Sequence, residues 1–377
     1  MTTSFHFELI HQSKKSRARV GKIHTPHGVI DTPNFVAVGT NATLKAIDNE
    51  TVNQIGLQLM FCNTYHLLLQ PGVNIIQKAG GLHSFINRRM PIITDSGGFQ
   101  VFSLAYGTVE HELKSKGTKK NDNSVLSITE EGVLFRSYRD GRRILLTPET
   151  SVQAQKALGA DIIIPLDELP PYHIDEQALR ESVHRTHRWE KRSLDEHVKN
   201  PNNQAMYAVI HGGLSSELRK LSCEYLSAQP FDGFAIGGSL GKNHQDMYEL
   251  LHFVMPLLPT DKPNHLLGIG DLTSMETCLK LGIDTMDSSH PTRSARHGQL
   301  FTKQGAIKIL NSKNKTNFGP ADPTCSCRTC KKFSLAYLHH LFKAKEMAGY
   351  ILATIHNLTF MVQHMADYRQ RILDDNL

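Results

Sequence analysis

The sequence predicts an α/β protein built on a closed parallel (β/α)8 barrel of the TIM type, and three observations carry that expectation. Eight short β-rich apolar runs recur along the chain, each ending in a polar residue or Gly. Helix-like stretches separate most of them, such as 215–228 (SSELRKLSCEYLSA) and 273–281 (TSMETCLKL), each opened by a Ser or Thr able to cap it. A chain of 377 residues, 40% hydrophobic and 21% charged, can close one large core without disulfide staples. Strand then helix, repeated eight times, favours the barrel over an open doubly wound sheet.

In chain order, residues 5–29 alternate apolar and polar (FHFELI, then ARVGKIH), which predicts antiparallel strands capping one barrel end. The barrel runs are 35–39 (FVAVG), 59–63 (LMFCN), 92–95 (IITD), 161–167 (DIIIPLD), 205–211 (AMYAVIH), 231–237 (FDGFAIG), 265–270 (HLLGIG) and 283–287 (IDTMD). The stretch 101–146 is too long for a βα loop. Its first part, GTVEHELKSKGTKKNDNS, has the composition of a mobile polar segment, and its second, VLFRSYRDGRRILL, carries Asp140-Gly141 as a hairpin turn. The expected organisation is a catalytic barrel over residues 1–300 with this insertion, and a smaller subdomain over 301–377 with a helical tail from 333 to 373.

No segment approaches the roughly 18 consecutive apolar residues of a membrane span, and the opening residues lack an apolar stretch behind their charges, so a soluble cytoplasmic protein is expected. The 42 Lys+Arg exceed the 36 Asp+Glu for a net charge of +6, which permits a polyanionic partner without requiring one.

Three acids end strands: Asp95 in TDSGGFQ, Asp167 in PLDELP and Asp287 in TMDSSHPTR. In a parallel barrel such residues face one mouth, where reacting groups gather. One alone would ordinarily cap the following turn. Three together suit substitution at the anomeric carbon of a sugar, one attacking C1′ while another moves a proton for the leaving group. A further ionised carboxylate matches the adjacent N–H donors on the edge of a guanine-like base. Gly97-Gly98, Gly212-Gly213 and Gly237-Gly238 follow strands and let a flat ligand approach the backbone, and Phe99 is placed to stack on a base.

Cys62, Cys223 and Cys278 stand alone in apolar surroundings and read as small core hydrophobes. Cys325, Cys327 and Cys330 lie within six residues (CSCRTC), a spacing that suits a closed, structural zinc site. The fourth ligand is expected from the tail, with His356 ahead of His339 and His340. Arg293, Arg296, His297, Lys303, Lys308, Lys313 and Lys315 follow the last strand, a basic group that suits a polynucleotide anchored by its phosphates beside the acids.

The motifs TDSGGFQVFS, DGFAIGGS, GIDTMDSSHPTRSARHG and CSCRTC followed by TIHNL resemble the tRNA-guanine transglycosylases, zinc-containing (β/α)8 barrels, and the likeness runs from about residue 5 to the C-terminus. The resemblance implies that Asp287 is the nucleophile on C1′ of the wobble guanosine and Asp95 the general acid/base. It implies that Asp167 holds the N1 and N2 edge of the base, that Ser96 and Gly238 add polar contacts, and that Phe99 covers its face. Arg293 and Arg296 would grip the flanking bases, and Cys325, Cys327, Cys330 and His356 would hold one Zn2+ per chain. A homodimer is also implied.

Several positions depart from the bacterial pattern. Leu169 stands where bacterial members carry Cys, Gly241 where they carry Val, Leu267 where they carry Met under the base, and Asn243 where they carry Glu. His211 replaces a Gln that donates to the base O6. Leu169 and Gly241 resemble the eukaryotic pocket, so queuine is expected ahead of preQ1 as the incoming base. The contrary reading is a non-catalytic tRNA-binding partner subunit, against which both Asp95 and Asp287 speak. An archaeal-type member would need a further C-terminal RNA-binding domain.

Overall fold

The structure is a computed structural model that describes residues 5–106 and 125–377. The Lys-rich part of the predicted insertion, 107–124, lies outside the described residues. Eight parallel strands close into a barrel: β1 (Asn34–Val38), β2 (Met60–Cys62), β3 (Ile92–Thr94), β4 (Ile162–Ile163), β5 (Ala205–Ile210), β6 (Gly233–Ile236), β7 (Asn264–Leu266) and β8 (Thr285–Ser288). Each pairs with its sequence neighbour, and β8 returns to β1 with Met286 opposite Phe35 and Asp287 opposite Val36. Every predicted run overlaps its strand, with bounds differing by a few residues. The run 161–167 keeps only two ladder residues, since Pro165 has no N–H to extend pairing.

Side chains alternate along each strand, which divides the core in two. Val36, Phe61, Ile93, Ile162, Tyr207, Val209 and Ala235 fill the barrel interior. Phe35, Met60, Met206, Ala208, Phe234 and Met286 face outward into a second cluster shared with the helices. Because the period is two, the residue two past an inward-facing one is carried to the mouth on the same face.

The antiparallel strands His6–Gln12, Arg19–Thr25 and Gly28–Thr32 form the predicted sheet, and its Ile23 and Ile30 plug the N-terminal end of the interior. Polar ties hold it there. Arg19 donates from Nε and Nη2 to both oxygens of Asp284, at 2.9 and 2.6 Å, a buried two-point pair. His27 Nδ1 lies 2.7 Å from Asp161 Oδ1, and the His83 ring stacks on His27 at 3.5 Å.

The predicted insertion begins within the helix Gly98–Tyr106, and its part from 125 onward is a three-stranded meander, Val125–Ile128, Val133–Arg136 and Arg143–Leu146. Asp140-Gly141 lies in the turn between its last two strands, where Gly141 at φ 72° donates to Ser137 O. The helix Ser216–Ser227 is capped by Ser215 as expected. The helix predicted from Thr273 instead starts at Leu272: the Asp271 carboxylate accepts from the N–H groups of Thr273 and Ser274, a stronger cap than a Thr hydroxyl. The tail is broken at Lys345, whose left-handed backbone ends Leu335–Ala344 before Met347–Leu373 begins. This last helix packs on β1 and on the short helix His290–Arg296.

Burial disfavours charge on Asp161, but the hydrogen bond with His27 and the His83 imidazole 3.2 Å away outweigh it and hold the carboxyl well below its usual range. The same bond to Asp161 raises His27. The histidine's contribution is full below its ordinary pKa and is lost as pH rises through the raised one; the carboxylate's is lost as pH falls through its depressed one. Asp161→Asn should therefore lower the thermal midpoint by on the order of 5 °C near pH 5.5 and by less at pH 8.5, measured by calorimetry.

Candidate active site

Asp95 follows β3 and sits 7% exposed at the mouth. Its Oδ2 accepts from Asn63 Nδ2 at 2.7 Å and Gln100 Nε2 at 2.8 Å, and its Oδ1 from Thr64 N at 2.7 Å. Burial pushes the carboxyl up to about 6 despite these donors. A rise from the ordinary value to there costs the ionised form about 3 kcal/mol. That cost is present above pH 6 and is relieved as pH falls through it, the reverse of a salt-bridged carboxylate.

Asp287 is the third residue of β8. Its Oδ1 accepts from Gly268 N at 2.8 Å and lies 3.1 Å from His265 Nε2. His265 is fully buried on β7, its ring nearly parallel to Phe61 with centroids 6.0 Å apart. Phe61 lies on β2 and Asn63 two residues on, just past its end, so this one segment carries both the ring against the Asp287 partner and the amide bound to Asp95. The structure thus places Asp287 and Asp95 at the same mouth.

Asp167 is joined to Asp95 through the neighbouring Ser96, whose Oγ donates to Asp167 Oδ1 at 3.3 Å. His211 Nε2 lies 2.8 Å from Asp167 Oδ2, so the ring is turned onto the acid. An ionised carboxylate has about four acceptor positions, so two remain for a ligand. Behind it Glu190 is fully buried, with Oε2 accepting from Val209 N at 3.2 Å. Burial first, and the proximity of Asp167 second, raise Glu190 well above its ordinary value.

The glycine turns are braced by a buried cation that the sequence pattern did not single out. Arg219 donates to Ile210 O at 2.6 Å, Gly237 O at 2.9 Å, Ser239 O at 2.9 Å and Gly213 O at 2.9 Å, tying the ends of β5 and β6 together. Burial lowers its pKa to about 10, which leaves it protonated at neutral pH. A Cβ at Gly212 would lie 2.7 Å from Arg219 N, so this turn needs glycine. At Gly238, φ is +73° and a Cβ would lie 3.0 Å from His211 Nδ1. Gly241 has φ +100° and a Cβ there would meet Asp246 Cβ at 2.2 Å. Its glycine is thus demanded by the backbone, and Gly241→Val would strain the loop before it narrowed any pocket.

Phe99 is 56% exposed, free of the core and able to offer its face. Leu267 packs at the top of the interior cluster, and Leu169 packs against the cluster of Tyr65, Phe102 and Trp189. Arg293 and Arg296 lie on His290–Arg296, directly after β8, with Arg293 Nη2 donating to Ser289 Oγ at 2.8 Å and Arg296 Nε to Thr292 O at 3.2 Å. Lys303, of the same basic group, pairs with the exposed Asp367 at 2.8 Å.

The ligand atoms of Cys325, Cys327, Cys330 and His356 all lie within 4.8 Å of one another, a set that could hold a metal ion; His339 and His340 are not part of it. His356 Nε2 donates to Phe301 O at 2.7 Å, which turns the Nδ1 lone pair onto the sulfurs, 3.2 Å from Cys330 and 3.6 Å from Cys327. Three thiols and one oriented imidazole are the donors of a closed tetrahedral site. Cys62, Cys223 and Cys278 are buried, and burial pushes each thiol up to about 12, as inert core residues.

The fold and site together define a barrel enzyme with acids converging at the C-terminal mouth. The family model described as Queuine tRNA-ribosyltransferase matches residues 13–377. A relative from Protochlamydia amoebophila, named queuine tRNA-ribosyltransferase, is 67% identical over 373 residues, covering 99% of this chain and 96% of its own. Proteins of the same name from Chlamydia caviae and Chlamydia felis are 55% and 56% identical over 372 residues, 98% of this chain and 99% of theirs. The chain belongs to the queuine tRNA-ribosyltransferase family.

Removing one donor to the charged form of Asp95 should raise its pKa further. Asn63→Leu is expected to move the carboxyl titration, followed by carbon NMR, above 6; an unmoved titration would assign the shift to burial alone.

Proposed function

We propose that the protein is a tRNA-guanine(34) transglycosylase, exchanging the wobble guanine of tRNAs with GUN anticodons (Asp, Asn, His and Tyr) for a 7-deazaguanine precursor of queuosine, with queuine ahead of preQ1. Asp287 attacks C1′ through Oδ2, and guanine departs with the electron pair of its glycosidic bond. The incoming base then displaces Asp287, so two inversions give net retention. Asp95 gives a proton to the departing base and takes one from the incoming base, for which a pKa near 6 suits both directions. Asp167 holds the base edge with Ser96, Gly238 and His211, Phe99 and Leu267 cover its faces, and Arg293 and Arg296 hold the flanking nucleotides.

The observation that carries this reading is the pairing at one mouth of Asp287, anchored through Oδ1, with Asp95, poised near neutrality. Support for queuine comes from Leu169 and from a cavity of about 360 Å³ beside the base site, lined by Tyr172, His211, Gly238 and Ser239 among others. The donor set of Cys325, Cys327, Cys330 and His356 suits one structural Zn2+, which would fasten residues 301–377 as a subdomain on the barrel of residues 1–300. The enzyme would act in the cytoplasm as a homodimer.

A side-by-side exchange assay on guanine-34 tRNA with guanine, preQ1 and queuine tests the function. Queuine incorporation ahead of preQ1 is expected; equal or better use of preQ1 would overturn the base assignment, and no exchange with any base would overturn the activity. Metal analysis should find about one zinc per chain, lost in Cys325→Ala together with the protease resistance of the tail. Full zinc in that variant would contradict the ligand set.

A further inference from the structure

The imidazole against Asp287 is constrained on both sides. Thr285 Oγ1 lies 3.1 Å from Asn264 O, a carbonyl that can only accept, so the Thr285 hydrogen is spent there. The oxygen that faces His265 Nδ1 at 2.9 Å is therefore an acceptor, and Nδ1 carries a hydrogen. With Nδ1–H fixed, Nε2 faces the Asp287 carboxylate across 3.1 Å, and two lone pairs cannot face each other there without a proton between them. The ring is fully buried between β6 and β8, with Phe61 nearly parallel to it. Among the described residues, the other hydrogen bond to Asp287 comes from Gly268 N and also falls on Oδ1. Oδ2 is left as the oxygen free to react.

We infer that His265 is the positioning residue of the reaction: it holds one proton between Nε2 and Asp287 Oδ1, which fixes the carboxylate and presents Oδ2 to the ribose. This rests on Asp287 being the nucleophile. When the bond from Oδ2 to C1′ forms, Oδ1 becomes the carbonyl oxygen of the ester, and Nε2–H remains its donor. When the incoming base breaks that bond, the electron pair returns to the carboxylate, and the same N–H with Gly268 N–H receives the returning charge. No proton leaves the pair in either half.

The test compares His265→Phe, which keeps the ring volume and removes both nitrogens, with His265→Gln, whose side-chain amide retains a donor for Oδ1. Guanine exchange is followed at saturating and limiting tRNA, with Asp287→Asn as reference. His265→Phe is expected to lower kcat at least 100-fold with KM for tRNA changed less than threefold, and His265→Gln to recover kcat to within about tenfold of the parent. Thermal midpoints and zinc content report whether each variant folds. Parental kcat in His265→Phe would overturn the inference, as would equal losses in two folded variants. If His265→Phe does not fold, His265→Gln decides alone: a loss beyond 100-fold in the folded protein overturns it. Exchange surviving in Asp287→Asn would instead overturn the underlying reading, a distinguishable failure.

Discussion

The site depends on keeping carboxylates in a nearly dry barrel mouth without losing their use. A buried carboxylate favours its neutral form unless donors compensate it. Asp95 and Asp287 solve this differently. Asp95 has three donors from side chains and backbone, yet burial still prevails and its pKa rises to about 6. Asp287 has two contacts on a single oxygen, one from the backbone of the loop after β7 and one from a buried imidazole. Two acids at one rim are thereby made chemically unequal, as the proposed roles of proton-transfer group and nucleophile require.

The rest of the molecule keeps those contacts in place. The N-terminal sheet plugs the far end of the barrel, anchored by Arg19 on Asp284 and His27 on Asp161, each acid lying just before a strand. At the mouth, Arg219 ties two glycine turns to one guanidinium. On the C-terminal side, Asn357 follows His356 of the cysteine cluster and bridges three backbone groups: its Nδ2 donates to Pro291 O and Gln299 O, and its Oδ1 accepts from Phe301 N. The tail helix thus grips the short helix of Arg293 and Arg296, so that the cysteine cluster and the surface beside the acids are joined by adjacent residues.

Much of this was legible in the sequence because its signals are local. Strands showed as apolar runs with polar ends, the acids as the residues ending them, and the cysteine cluster as three thiols within six residues. What was hidden depends on packing across the chain. Arg219 sits in SSELRKL, a pattern indistinguishable from a solvated helix, and only the fold turns it inward. His265 opens an apolar run and offers no spacing motif; its role follows from Thr285 on the next strand. Asn357 could have been suspected from TIHNL, but its three partners lie about 56 to 66 residues earlier in the chain. Gly241 shows the opposite case, where a glycine suggested a pocket of the eukaryotic kind and the backbone supplies a sufficient reason for it.

The most direct measurement is to trap the protein on a guanine-34 tRNA or anticodon stem-loop under denaturing conditions and map the modified residue by peptide mass spectrometry. A ribose-linked RNA adduct on the peptide bearing Asp287, absent in Asp287→Asn, is the predicted result. An active enzyme that forms no adduct, or one whose adduct maps to Asp95 or Asp167, would contradict the assignment of the attacking carboxylate.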